Sequence, residues 1–416
     1  MTISEVSSLS ERRAKVRQAF SPSAPVRNRD LFAGRLEQLV CIGDALAEPG
    51  QHAVIYGERG VGKTSLATIC ANAAAAGQGK QMAVKVNCES GDDFASIWRK
   101  VLRRIVVESR APLVGFGPDR DDRKVVASAS LYLVDVRDIT PDNVCNVMKL
   151  VTRERSLAVF LDEFDRVTDP AVHRFLADTI KTLSDEATPV TIILVGVADN
   201  VDELVKEHAS VRRAIVQVHM PRMSAPELAD IVSNGLASVN MNVDPSAIDQ
   251  ITRLSQGLPH YTHLLAQHAA VRAVSLDSNT VRPDDVEEAI ERAVNQAQES
   301  IRELYYRATY STRDNLYKQV LLACACAVTD EKGFFTAPAV RQTLSIIMRE
   351  PYRISQFARH LSALSENDRG PILRKEKRYQ QIQYRFIDPL VQPYITMRGL
   401  RDGMIDSFIL KGLEDS

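Results

Sequence analysis

The chain lacks three things: a net charge of either sign, paired cysteines, and an apolar run long enough for a bilayer. Its 52 Lys and Arg nearly balance its 53 Asp and Glu, leaving a formal charge of −1. No global field therefore draws it to DNA or to an anionic membrane, and any such affinity must come from a local patch. The six cysteines, at 41, 70, 88, 145, 324 and 326, form no CxxC pair and no His/Cys cluster. That spacing excludes a disulfide or zinc framework and reads as reduced thiols in a cytoplasmic protein. The longest apolar stretches, such as Val320 to Val328, fall far short of a membrane span. Arg12, Arg13, Lys15 and Arg17 have no apolar segment behind them, so the N-terminus does not read as a secretory signal. With 416 residues, two or three domains are expected.

What is present gathers around one stretch. His52-Ala-Val-Ile-Tyr56 reads as a strand, Gly57-Glu58-Arg59-Gly60-Val61-Gly62-Lys63-Thr64 follows, and Ser65-Leu-Ala-Thr68 opens an alanine-rich helical pattern. This is GxxxxGK[ST] spacing between a strand and a helix. Glycines let backbone N–H groups turn inward around a polyphosphate, and the helix that starts near Lys63 adds the positive end of its dipole. The pattern predicts that Gly57 to Ser65 cradle a nucleoside triphosphate. Lys63 would reach the β- and γ-phosphates, and the Thr64 hydroxyl would hold Mg²⁺.

Further strands read at Met82–Asn87, Leu157–Leu161, Val190–Ala198 and residues 214–219. Leu157-Ala-Val-Phe-Leu161 has no alternation, as in a parallel sheet buried on both faces, and it ends in Asp162 and Glu163. Carboxylates at a strand's C-terminal edge lie where ligands bind in open α/β sheets. Asp162 is expected to hold the metal and Glu163 to polarise an attacking water. Asp199 and Asn200, at the tip of the next strand, either touch the γ-phosphate or cap a helix over Val201–Glu207. Arg212 and Arg213 are either solvated or supply an arginine finger to a neighbouring protomer's nucleotide, which makes a homo-oligomer. Helices are expected at Asp93–Val107, Pro141–Glu154 and Pro170–Ser184. Between the first two, Gly115, Gly117, Pro118 and the charge run Asp119–Lys124 separate two strand-like pieces, the second at Ser130–Val136. Residues 1–29, rich in Ser and Pro, read as a poorly ordered basic leader or as an arm for nucleic acid.

From Ser224 the pattern turns helical. Ser224-Ala-Pro-Glu227 is a capping box with proline in the first turn, and helices follow near 225–238, 245–255, 259–275 and 283–297. Gly257-Leu-Pro259-His260 opens the third of these. Beyond Tyr305, helices at 312–328, 338–348 and 351–366 precede two short strands, the winged-helix order. Arg353 and Arg359 fall on the outer side of the third helix. Arg374, Lys375, Lys377 and Arg378, with Arg385, line the wing. This edge either contacts DNA phosphates, docks on a protein partner, or is merely solvated.

These pieces together resemble the AAA+ P-loop ATPases of the origin-recognition initiator kind, and the related STAND signal-transduction NTPases, from about Leu31 to Pro393. The resemblance is carried by Phe32-Ala-Gly34-Arg35, the glycine loop, Val86-Asn87-Cys88, Phe160-Leu-Asp-Glu-Phe-Asp165, Gly196-Val-Ala-Asp199 and the winged helix. It implies an α/β ASCE-type P-loop NTPase with a five-stranded parallel sheet over residues 30–221, interrupted by an insertion at 111–140. A helical lid over 222–300, a winged helix over 301–398 and a tail over 399–416 would follow, behind a flexible segment 1–29. ATP and Mg²⁺ are the implied cofactors, since no guanine-reading Asn-Lys-x-Asp occurs. The sensor-1 position, usually Asn in the initiators, is Asp199. The sensor-2 position, usually Arg, is His260, and Pro259 would lie against adenine as in STAND proteins. Without that arginine the γ-phosphate loses a permanent positive charge, which implies slow hydrolysis. The expectation is an ATP-driven switch whose winged helix reports nucleotide state to DNA or a protein. The alternatives are an initiator-like DNA clamp with structural ATP, and a STAND-type stress or phage-defence sensor.

Overall fold

The computed structural model describes residues 3–26, 32–77, 81–110, 124–133, 136–196, 211–312, 315–330, 332–378 and 381–414. The chain divides into two compact units. One comprises Arg35–Gly57 and Lys63–Met220, and the other Met1–Gly34, Glu58–Gly62 and Pro221–Ser416.

The strands of the first unit are β1 (His52–Tyr56), β2 (Gln81–Asn87), β3 (Val106–Arg110), β4 (Lys124–Ser128), β5 (Ser156–Asp162), β6 (Val190–Gly196) and β7 (Ile215–His219). Five of them form a parallel sheet in the order β2-β5-β6-β1-β7. Nearly every residue of β5 and β6 is buried, which is why neither alternates in sequence. Leu157, Val159 and Leu161 join one continuous apolar cluster with Trp98, Leu102, Ile192 and Leu194, while Ala158 and Phe160 are buried from the opposite face. Each such side chain contributes about 1.5–3 kcal/mol by leaving water. The helix Phe94–Arg104 turns Phe94, Ile97, Trp98, Val101 and Leu102 into the core and starts on Asp93, whose carboxylate accepts from the Ser96 N–H at 2.6 Å. Thr140 and Asn143 form a capping box for Pro141–Val151. Asp169 caps Pro170–Asp185.

The insertion, which the sequence reads as a hairpin or loop on the core, does hold a hairpin, but its elements have other limits. The helix expected to reach Val107 ends at Arg104, and β3 pairs with β4 as an antiparallel hairpin. The strand expected at Ser130–Val136 is instead a 3-10 turn over Ala129–Leu133. Its buried residues are Ala129 and Leu133, four apart, while Leu131 and Tyr132 face solvent, so the helical spacing wins over the β propensity. Ser128 fixes the turn by donating from Oγ to the Leu102 carbonyl at 3.1 Å. Gly115, Gly117, Pro118 and most of the charge run lie outside the described residues, as does the helix expected at Val201–Glu207.

The second unit begins with a helix, Ile3–Ala19, where the composition suggests a poorly ordered leader. Val16, Ala19 and Phe20 are the reason: three spaced apolar residues bury completely or nearly so. Phe20 packs on Gly235, where a β-carbon would collide with its ring, and its carbonyl accepts from Gln267 Nε2 at 2.6 Å. Arg12 pairs with Asp277 at 2.9 Å, and Arg13 donates to Ser275 Oγ at 2.8 Å. Four helices follow at Ala225–Ala237, Pro245–Ser255, Pro259–Ser275 and Pro283–Asn295, close to their expected limits, and the Ser224–Glu227 capping box is present.

Beyond them lie helices Glu299–Thr309, Tyr317–Ala325, Ala337–Met348 and Ile354–Leu364. The strands Leu373–Arg378 and Gln381–Phe386 form an antiparallel hairpin, joined by the short strand Phe335–Thr336. The helix expected at 312–328 is shorter, and Glu299–Thr309 is an element the sequence reading lacks. So is Val391–Arg401, which crosses the expected boundary at 398 and is buried from Val391 through Met397. Pro393 reads as a helix breaker, but it sits in the first turn, where no intrahelical N–H bond is lost. The last helix, Ser407–Glu414, occupies the expected tail. Among the described residues no helix is long and apolar enough to cross a membrane.

Candidate functional site

β1 leaves the sheet at Tyr56, and the chain turns through Gly57, Gly60 and Gly62 at φ of +156°, +88° and +99°. A β-carbon at Gly57 would run into the Met220 carbonyl oxygen, and the other two positions are left-handed backbone that side chains strain to adopt. The glycine spacing is thus a backbone requirement, met before the helix Lys63–Ala76 begins.

The charged end of this loop belongs to the sheet unit. Lys63 is buried, and its Nζ donates to the Gly57 carbonyl at 3.0 Å, so the ammonium is folded back over its own loop. Thr64 Oγ1 donates to Asp162 Oδ1 at 3.3 Å. Asp162, at the end of β5, is only 2% exposed. Its Oδ1 also accepts from the Glu163 N–H at 3.0 Å, and its backbone carbonyl accepts from Cys88 N–H at 2.8 Å. Lys85 of β2 brings its ammonium to 2.8 Å from Oδ2. The approach is off the hydrogen-bond direction, so this buried oxygen has a charge beside it but no aligned donor. Glu163 is held in the left-handed region at φ +56°, and its half-exposed carboxylate pairs with Arg166 at 2.8 Å.

Glu58–Gly62 cluster with the second unit. There Glu58 pairs with Arg222 at 2.7 Å, and the same guanidinium donates to the Gln256 carbonyl at 3.3 Å. Arg59 lies 3.4 Å from Asp388. A β-carbon on Gly60 would meet Leu390 at 2.8 Å, and one on Gly62 would touch Pro259 at 3.8 Å. Val61 is fully buried. His260 donates from Nδ1 to the Pro22 carbonyl at 2.8 Å. Burial lowers its pKa below the ordinary imidazole value, an effect the bond to Pro22 only partly opposes. The ring is therefore neutral near pH 7.

Of the residues the sequence singles out, Gly57, Lys63, Thr64, Asp162 and Glu163 come together in the sheet unit. Glu58, Arg59, Gly60, Val61, Gly62, Pro259 and His260 are held in the other, and Ser65 is half-buried in the helix after the loop. Asp199 and Asn200 lie outside the described residues. Arg212 and Arg213 are exposed on the short turn Val211–Ala214. Arg353, Arg359, Arg374, Lys375 and Lys377 are exposed as expected, though Arg374 pairs with Glu376 at 2.7 Å. Arg378 departs from the expected open edge. Its guanidinium covers the Phe334 ring at 4.4 Å beside Asp330, and Arg385 covers the same ring at 4.9 Å.

Sequence reasoning missed Lys85, Arg166, Arg222 and Asp388. Lys85 becomes readable only once the strand register is known. It is two residues before Asn87 and so shares its face of β2, and Asn87 is in register with Asp162. Arg166 lies only three residues from Glu163, a local pairing, whereas Arg222 and Asp388 meet their partners through packing of distant segments.

Residues 31–193 match the AAA ATPase domain family. No curated protein matches the chain. Among solved structures, the ORC2 protein of Aeropyrum pernix, in ADPNP–ADP complexes, is similar at a TM-score of 0.53 and 16% identity. The match covers 96% of this chain and 98% of that one. A Walker-type ATPase of Pyrococcus abyssi is similar at a TM-score of 0.50 and 14% identity, covering 90% and 98%. The fold is that of the P-loop NTPases, with an α/β parallel sheet of five strands.

Proposed function

We propose that this chain, which resembles the AAA+ P-loop ATPases of the origin-recognition kind, is an ATP-binding molecular switch that hydrolyses ATP slowly. The observation that carries the proposal is the buried Lys63, Thr64 and Asp162 constellation where β1 and β5 end. Lys63 would exchange the Gly57 carbonyl for phosphate oxygens, and the inward N–H groups of the glycine loop would take the rest of the polyphosphate. The Thr64 hydroxyl and Asp162 Oδ2, buried without an aligned donor, are oxygens that fit a hard divalent cation and would hold Mg²⁺. When bound, the metal neutralises charge on the β- and γ-phosphate oxygens. Glu163 would give up Arg166 to polarise the attacking water. His260, neutral and bonded to Pro22, adds no positive charge at the γ-phosphate, which supports slow turnover.

The three helices and hairpin from Tyr317 to Phe386 follow winged-helix order, and we read them as the output module for DNA or a protein partner. One observation favours the sensor form of the switch. Arg59 and Gly60 are engaged by Asp388 and Leu390, so residues after the hairpin hold part of the loop itself. The test is ATP turnover with and without duplex DNA, repeated with Arg374, Lys375 and Lys377 changed to Gln. DNA-stimulated turnover that is lost in the variant supports DNA as the output. Turnover that ignores DNA in both proteins removes that reading and leaves a protein partner.

A further inference from the structure

Lys85 stands on β2, in register with Phe160 of β5, while Asn87 is in register with Asp162. Side chains alternate along a strand, so Lys85 and Asn87 share the face on which Asp162 lies. The two-residue offset is about the length of an extended lysine side chain, roughly 6.5 Å. Its ammonium accordingly ends 2.8 Å from Asp162 Oδ2.

The two carboxylate oxygens are treated unequally. Oδ1 receives Thr64 Oγ1 and the Glu163 N–H. Among the described residues Oδ2 receives no aligned donor, and the Lys85 ammonium stands beside it. A carboxylate this deeply buried needs a counter-charge, and an ammonium that offers charge without a directed bond is the kind most readily exchanged for another cation.

We propose that Lys85 is a built-in competitor for the divalent cation at Asp162. This rests on the ATP reading above and deepens it. Before a cation binds, Lys85 supplies the positive charge beside Asp162 and holds the carboxylate in place. With a divalent cation on Oδ2 the ammonium, whose side chain is partly exposed, would withdraw, because two cations on one carboxylate oxygen repel. Lys85 thereby sets the magnesium concentration at which the site fills, and it lets the triphosphate be held before the metal arrives.

The experiment titrates Mg²⁺ at fixed concentration of a fluorescent, slowly hydrolysed ATP analogue and reads bound nucleotide, not turnover. For Lys85→Met the half-saturating Mg²⁺ is expected to fall about tenfold, equivalent to 1.4 kcal/mol. Binding of the analogue in EDTA is expected to weaken by a similar factor. Lys85→Arg, which keeps the charge, should stay within about twofold of wild type in both readings. Lys85→Gln is a second neutral variant should the methionine form fail to fold, and it should move in the same direction. An unchanged half-saturation in the neutral variants overturns the proposal. So does an arginine variant that behaves like them, since lost packing would then explain the shift. If wild type binds no analogue at any Mg²⁺ concentration, the ATP reading itself fails. If it binds and only the Lys85 variants are silent, the ATP reading stands without this refinement.

Discussion

The sheet unit and the helical unit are held together in different ways. The sheet unit has one continuous apolar cluster, and its reactive groups stand at strand ends that this cluster fixes. The helical unit has buried apolar side chains of its own, among them Val232, Leu265, Leu344 and Phe357, and adds ties between side chains and backbone of distant segments. Gln256 and Gln392 both donate to the Ala325 carbonyl at 3.0 Å, Tyr261 donates to the Leu390 carbonyl at 2.6 Å, and Gln267 holds Phe20. Each of these ties is a single hydrogen bond that a substitution can remove on its own. The phosphate loop has residues in each kind of structure.

The largest expected effect is on the helical unit alone. Phe20→Ala removes a fully buried aromatic and should cost about 3–5 kcal/mol. Trp98, the single tryptophan, lies in the sheet core, so its fluorescence reports the sheet unit, while far-UV circular dichroism also follows the helices. The dichroism midpoint in urea should drop while the tryptophan midpoint holds. Equal movement of both would erase the distinction.

Acid should act on both units through buried histidines: His52 in the sheet unit, and His263 and His360 in the helical unit. His52 of β1 and His263 of the helical unit are pushed down by burial to about 4. Their folded values lie below the unfolded value, so the unfolded chain binds more protons between pH 4 and 6.5. The stability from keeping each ring neutral is complete above pH 6.5 and is lost as pH falls toward 4. At pH 5 each accounts for about 2 kcal/mol. His52→Gln should flatten the pH dependence of the tryptophan transition and leave that of the helical transition in place, and His263→Gln should do the reverse. A variant that changes neither slope would show that its ring is not held neutral.

The smallest effect is that of one tie. Tyr261→Phe loses the bond to Leu390 and should cost about 1 kcal/mol in the dichroism transition only. A loss several times larger would mean that the ties of this unit act cooperatively, as a core does.

How much of this could be read in advance follows the same division. The unbroken runs of β5 and β6, the glycine loop, and the Asp162–Glu163 strand end were legible because burial and phosphate chemistry constrain consecutive residues. The four lid-like helices were legible through their caps and periodicity. The docking of Ile3–Ala19 was not, because composition outweighed the short Val16, Ala19, Phe20 pattern. Nor was the buried helix Val391–Arg401, whose proline masked its start. Lys85 was missed because a lysine in a strand reads as an edge residue until the register with β5 is known. Arg222 and Asp388 find Glu58 and Arg59 across more than 160 residues of chain, and no local pattern carries that information.

The most direct test is equilibrium binding of Mg²⁺-ATP to wild type and to Lys63→Ala. The loss of charge-assisted bonds worth about 1.5–3 kcal/mol should weaken binding about 10- to 100-fold, with the Trp98 unfolding midpoint nearly unchanged. A folded Lys63→Ala protein with undiminished affinity would contradict the assignment of this loop as the triphosphate site.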